Sequence, residues 1–392
     1  MDDMLPDMNY SACDNRTSAQ ERWSTPALMR RVSSPADHHR RCKKLNNRLE
    51  ERKPPCAALL LLTCLLVIWL VPASADAQRI LSETFMIPAA DPGIELHVRN
   101  RHLEGRDSFP GERVVLFVHG ATYPSETVFD IDLPGGSWAE HVAREGYDVY
   151  LVDVRGYGRS TRSAAMDAPP AENPPFATTT DAVKDVGSAI DFILKRRGIS
   201  KLNLVGWSWG TALMAGYTMS NNNKVNKLVL YAPLWHLKAP PPFSGAGAYR
   251  TASRDAVRER GIRGIPPLAV EHVSPTAWFD AWWRATLATD PEGAKQNPPV
   301  VRAPNGVLKD IVDYWGAGKA TWEPEMIRVP TLLILAEWDQ DTPLYMAQEI
   351  FAKLINAPYK RHVVIGEGTH TVALEKNRMH LINQVQSFLD EQ

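Results

Sequence analysis

An α/β protein with a mostly parallel eight-stranded sheet, helices on both faces and one helical insertion is the fold class this sequence predicts. Two observations carry it. Short apolar runs alternate with segments of helical spacing across residues 84–389, the pattern of strands buried on both faces and covered by helices. The alternation stops once, between residues 233 and 329, where about 95 residues rich in aromatics and prolines carry no clear strand signal.

Runs 84–88 and 94–98 open the series as a first pair of strands. Residues 113–118 (RVVLFV) form an apolar run that ends in His119-Gly120. Residues 138–144 (WAEHVAR) have helical spacing, with Gly146 just beyond as a stop. The strand 148–154 (DVYLVDV) leads into Arg155-Gly156-Tyr157-Gly158-Arg159-Ser160. Residues 181–197 form an amphipathic helix, with Asp181 near its start and Gly198 at its end. Strand 201–205 then meets helix 211–217 across a short glycine-bounded turn. Strands 227–231, 331–336 and 361–365, with helices 345–355 and 381–389, complete the series. A sheet of this kind binds ligands at the carboxyl ends of its strands, and each motif below lies at such an end.

The turn between strand 201–205 and helix 211–217 reads Gly206-Trp207-Ser208-Trp209-Gly210. Gly-x-Ser-x-Gly between a strand and a helix holds the serine in a strained turn and lifts its hydroxyl clear of the sheet edge. A serine nucleophile needs a base to take its proton and a carboxylate to hold that base in one tautomer. The chain order on such a sheet is serine, acid, histidine. After strand 331–336 come Asp339 and Asp341; after strand 361–365 comes His370, in Gly366-Glu367-Gly368-Thr369-His370. Asp339 is the better acid. Asp341 is the alternative, or else a cap for the helix that starts near Leu344. Two backbone N–H groups should receive the developing oxyanion: Trp209, directly after the serine, and Ala121, in the loop after His119. His119 itself reads as a packing residue beneath that loop.

The interrupted stretch, residues 234–328, reads as a helical cap over the active edge. Its aromatic content favours an apolar or aromatic substrate, with Trp207, Trp235 and Trp282 as candidate contacts. Arg250, Arg254, Arg258, Arg260 and Arg263 read as a solvated face.

The formal net charge is −1, and no long single-sign run follows the leader, so nothing points to nucleic acid. Residues 1–56 are polar, with a basic second half. The apolar run 57–71 is shorter than the roughly 20 residues that comfortably span a bilayer, and Pro72-Ala73-Ser74-Ala75 follows it. That layout predicts a signal peptide over 57–75, export to the periplasm or beyond, and a core of 76–233 plus 329–392. An uncleaved membrane anchor is the alternative. Cys13, Cys42, Cys56 and Cys64 all precede residue 75, so the exported part would have no disulfide and no cysteine metal site.

FVHGAT, DVRGYGRS, GWSWG, LAEWDQDTP and GEGTH, in this order, resemble the α/β-hydrolase superfamily across nearly all of residues 80–392. The resemblance implies the α/β-hydrolase fold, a triad of Ser208, Asp339 and His370, and a cap inserted after the sixth strand. Ser208 stands where haloalkane dehalogenases and epoxide hydrolases of this superfamily have Asp. The oxyanion loop His119-Gly120-Ala121-Thr122-Tyr123 departs from the His-Gly-Gly-Pro-Gly of proline iminopeptidases and from the His-Gly-Gly-Gly of the hormone-sensitive-lipase type. The expectation is therefore an exported serine hydrolase of a small-molecule carboxylic ester that needs no metal or organic cofactor. Amide or peptide hydrolysis and a non-catalytic binding protein are the alternatives.

Overall fold

The structure is a computed structural model that describes residues 79–391. The leader, the apolar run 57–71 and the four cysteines lie outside the described residues. Among those described, no helix is long and apolar enough to cross a membrane.

Among the described residues ten strands are present: β1 (Ile80–Pro88), β2 (Glu95–Leu103), β3 (Val114–Val118), β4 (Asp148–Val152), β5 (Leu202–Trp207), β6 (Val225–Tyr231), β7 (Tyr249–Ser253), β8 (Val300–Pro304), β9 (Thr331–Ala336) and β10 (Lys360–Ile365). Eight of them make one sheet in the order β1-β2-β4-β3-β5-β6-β9-β10. β2 runs antiparallel to both β1 and β4, and the other pairings are parallel. The expected eight-stranded, mostly parallel sheet is therefore the one observed. After β4 the chain returns past β3 to form β5, so the order reverses at β3. Ligands of such sheets collect at this switch point.

β3 shows why the strands read as continuous apolar runs. Val114, Leu116 and Val118 belong to one core and Val115 and Phe117 to the other, because successive side chains leave a strand on opposite faces. The first core is roofed by helices Thr179–Arg197, Trp209–Ser220 and Leu344–Lys353, and the second by Trp138–Arg144 and Arg378–Asp390. Helix Thr179–Arg197 starts in a capping box, with the Thr178 hydroxyl and the Asp181 carboxylate satisfying each other's backbone N–H. It stops at Gly198, whose φ of 65° is left-handed.

The segment between β6 and β9 departs from a purely helical insertion. Helices Arg254–Gly261, Thr276–Leu287 and Gly306–Asp313 are joined there by a second sheet, β7 antiparallel to β8. Neither YRTAS nor VVRAP alternates or runs apolar in sequence. β8 is instead held by Asp290, which is fully buried, makes two-pronged contact with the Arg302 guanidinium and accepts from the Arg302 N–H at 2.8 Å.

Candidate active site

Ser208 sits between β5 and helix Trp209–Ser220 with φ 56° and ψ −121°, a backbone conformation that an L-residue holds only when its surroundings impose it. Those surroundings are two glycines. A Cβ on Gly206 would lie 2.3 Å from the Gly210 carbonyl oxygen, and one on Gly210 would lie 2.6 Å from the His119 carbonyl oxygen. Strand, turn and helix therefore approach closely only where both side chains are absent.

The Ser208 Oγ is 3.0 Å from His370 Nε2, and His370 Nδ1 is 2.9 Å from Asp339 Oδ2. Asp339 has its remaining lone pairs filled: the N–H groups of Asp341 and Thr342 donate to Oδ1 at 2.9 and 2.8 Å, and the Thr342 hydroxyl donates to Oδ2 at 2.8 Å. This web fixes the carboxylate plane and so the histidine ring. Burial alone would depress the His370 pKa, but the Asp339 charge and hydrogen bond, with Asp341 behind them, raise it above the ordinary imidazole value.

The carboxylate bonded to the histidine ring is that of Asp339 and not Asp341, and Asp341 caps no helix. The helix cap position is Pro343, which makes no side-chain cap. The Asp341 carboxylate instead takes Arg260 Nε and Arg263 Nη2, each at 2.8 Å. The reading of the insertion's arginines as a solvated face is corrected for Arg250 and Arg258, which are partly buried. Arg250 reaches the carbonyl of Ala121 and the hydroxyl of Thr122, and Arg258 bonds Ser274 twice. Arg254, paired with Asp280, and Arg260 and Arg263, paired with Asp341, stay exposed.

Ala121 and Trp209 both border the cavity at Ser208, and among the described residues neither N–H is bonded to a backbone acceptor. The peptide that carries the Ala121 N–H is anchored through its other end. The Val154 N–H donates to His119 Nε2 at 3.2 Å, so the Nδ1 proton donates to the Gly120 carbonyl at 2.7 Å. Burial keeps the His119 ring below the ordinary imidazole range, consistent with a packing role under the loop. The next carbonyl, that of Ala121, accepts from the Tyr157 hydroxyl at 2.8 Å as well as from Arg250.

Two cavities meet at Ser208. One is a tight cleft of about 50 Å³ walled by Tyr123, Trp207, Trp278, Phe279 and Trp282, with Glu375 and Arg258 at its edge. The other is an open groove of about 640 Å³ that carries Lys238, Arg260 and Arg263. Of the three expected tryptophan contacts, Trp207 and Trp282 line the cleft. Trp235 does not: it is 1% exposed, edge-on to Trp322 at 5.2 Å, inside the core. It is a large apolar side chain at the root of the insertion, and body and insertion close over it.

Sequence reasoning missed Thr342, Tyr157, Arg250 and Glu375. Each acts through backbone atoms or buried neighbours, and no spacing rule marks such a residue. Among the described residues, no group of three or more His, Cys, Asp and Glu side chains could hold a metal ion.

A family model described as the alpha/beta hydrolase fold matches residues 113–261. The fold is the α/β-hydrolase fold. It is 33% identical over 132 residues to gastric triacylglycerol lipase of Bos taurus, covering 34% of this chain and 33% of that protein. It is 32% identical over 145 residues to a probable lipase of Schizosaccharomyces pombe, covering 35% of this chain and 31% of the other. The match thus spans about a third of the length of these curated relatives. Among solved structures it resembles a serine hydrolase from the polyaromatic-hydrocarbon-degrading bacterium Cycloclasticus zankles, with a TM-score of 0.53, 15% identity and coverage of 80% and 98% of the two chains. A thermophilic esterase from Thermogutta terrifontis gives a TM-score of 0.50 at 16% identity, with 78% and 98% covered.

Proposed function

We propose that this protein is a serine hydrolase that cleaves a carboxylic ester with an apolar or aromatic part through an acyl-enzyme. One observation carries the reading: Ser208 Oγ, His370 and Asp339 form a continuous hydrogen-bonded chain at a strained turn that opens on two cavities. His370 Nε2 takes the Ser208 proton as Oγ attacks the ester carbonyl. The N–H groups of Trp209 and Ala121 receive the oxyanion, held in place by the helix start and by His119. Asp339 stabilises the imidazolium without taking its proton. His370 then protonates the departing alcohol, and a water deprotonated by the same nitrogen releases the acid. Similarity to lipases over a third of their length supports an ester rather than an amide as the substrate.

Residues 234–328 act as a cap in this reading, with Trp278, Phe279 and Trp282 placing an apolar wall over the nucleophile. The apolar run 57–71 directs export, so the mass of the exported protein should lack residues 1–75. A mass that retains them would replace export with anchoring.

Hydrolysis of p-nitrophenyl esters from acetate to long chains, beside an aminoacyl p-nitroanilide, tests the activity. The expected result is ester turnover that disappears in Ser208→Ala. Turnover of the anilide alone would move the protein to the peptidases, and turnover that survives in Ser208→Ala would remove the serine mechanism.

A further inference from the structure

The acyl-transfer chemistry leaves the charge of the open groove unused. Its walls carry four cations, Lys238, Arg250, Arg260 and Arg263, and one carboxylate, Asp341. Asp341 is shared between Arg260 and Arg263, which use Nε and Nη2 respectively. A guanidinium has five N–H donors and stays charged at any physiological pH. Both side chains, at 43% and 47% exposed, therefore keep donors for a second anion. Lys238 lies 4.0 Å over the Tyr345 ring, and Arg250 bonds the neutral oxygens of Ala121, Thr122, Pro304 and Asn305. One carboxylate thus faces four cations beside Ser208, where an exposed ion-pair face would interleave the two signs.

The two cavities also differ in what they offer the reaction. His370 borders the aromatic cleft and Trp209 borders the groove. The alcohol must leave beside His370, which protonates it, so it departs into the aromatic cleft. The acyl chain then runs along the groove.

We propose that the groove selects acyl groups ending in a carboxylate, so that the substrate is a half-ester of a dicarboxylic acid with an apolar or aromatic alcohol. Arg260, Arg263 and Lys238 are its specificity-determining residues. This rests on the esterase reading above. Hydrolysis then yields the free alcohol and the dicarboxylate.

The test compares p-nitrophenyl butyrate with mono-p-nitrophenyl glutarate on the full chain, two esters with one leaving group. The expected kcat/KM favours the glutarate about tenfold or more, the effect of a charge-assisted contact, and the preference shrinks as salt rises. The same ratio should fall about tenfold in an Arg260→Gln/Arg263→Gln double variant. If that variant does not fold, Lys238→Gln, at an exposed position, gives the same reading with a smaller drop. A wild-type ratio at or below one, or a ratio untouched by the substitutions, overturns the proposal while leaving the esterase reading intact. If neither ester is turned over, the esterase reading fails and the half-ester assignment with it. Calorimetry with glutarate on the same proteins then reads the groove: binding lost in the variants retains an anion site, and no binding removes it.

Discussion

The indole N–H of Trp207 donates to the backbone carbonyl of His370 at 3.1 Å, so the residue before Ser208 holds the loop that carries His370. The Tyr231 hydroxyl donates to the same carbonyl at 3.0 Å and accepts from the Ala373 N–H at 3.3 Å. Two adjacent strands, β5 and β6, thereby fix where the ring of His370 starts. The 3.0 Å approach of Nε2 to Ser208 depends on both.

Trp207→Phe keeps most of the packing and removes the donor. A buried hydrogen bond of this kind is worth on the order of 1 kcal/mol, and more when its partner is left bare. The kcat for a small ester such as p-nitrophenyl acetate should fall about tenfold, and the melting temperature by a few degrees. Unchanged kcat would mean that Tyr231 alone positions the base.

The raised pKa of His370 gives a second expectation. The ring must be neutral to accept the Ser208 proton, so kcat/KM should decline as pH falls through the His370 pKa, with a limb above the ordinary imidazole value. Asp341 is one of the charges that raise it. Asp341→Asn should therefore move the acid limb to lower pH, as read from a kcat/KM profile. A limb that stays put would assign the shift to Asp339 alone.

Glu375 lies against the base loop, accepting from the Thr369 N–H at 3.1 Å and from the hydroxyls of Thr369 and Thr371. It is 1% exposed, and burial pushes its carboxyl up from 4.5 to about 7 despite those bonds. A carboxyl whose folded pKa exceeds its unfolded one stabilises the fold fully below the unfolded value, and that stability is lost as pH rises through the folded value. The wild type should lose about 3 kcal/mol from this group between about pH 4.5 and 7. Denaturant titrations of Glu375→Gln should lack that loss, so the two stability curves should converge or cross across the window. Parallel curves would contradict the buried-acid account.

Much of this was legible in the sequence because it rests on local pattern. β9 and helix Trp138–Arg144 have the bounds their residues predict, since continuous apolar character and helical spacing set both ends. Ser208, Asp339 and His370 each follow a strand, so recognising the strands brought the three together. The short sheet of β7 and β8 was not legible: its pairing, Tyr249 with Pro304 through Ser253 with Val300, joins polar or proline-bounded segments far apart in the chain. Two of the arginines were misjudged for a related reason. Arg250 and Arg258 look solvated until their partners arrive from elsewhere in the chain, here the Ala121 carbonyl with the Thr122 hydroxyl, and Ser274. Trp235 looked like a ligand contact by composition alone, and only packing against Trp322 reveals a core residue.

The central claim is that Ser208 is an activated nucleophile, and covalent labelling tests it most directly. The full chain would be treated with a fluorophosphonate and digested, and the modified peptide located by mass. One adduct on Ser208 is expected, with labelling slowed by orders of magnitude in His370→Ala and Asp339→Asn, where the proton acceptor or its orienting carboxylate is gone. A serine that stays unmodified, or one that labels equally fast in those variants, would contradict the claim.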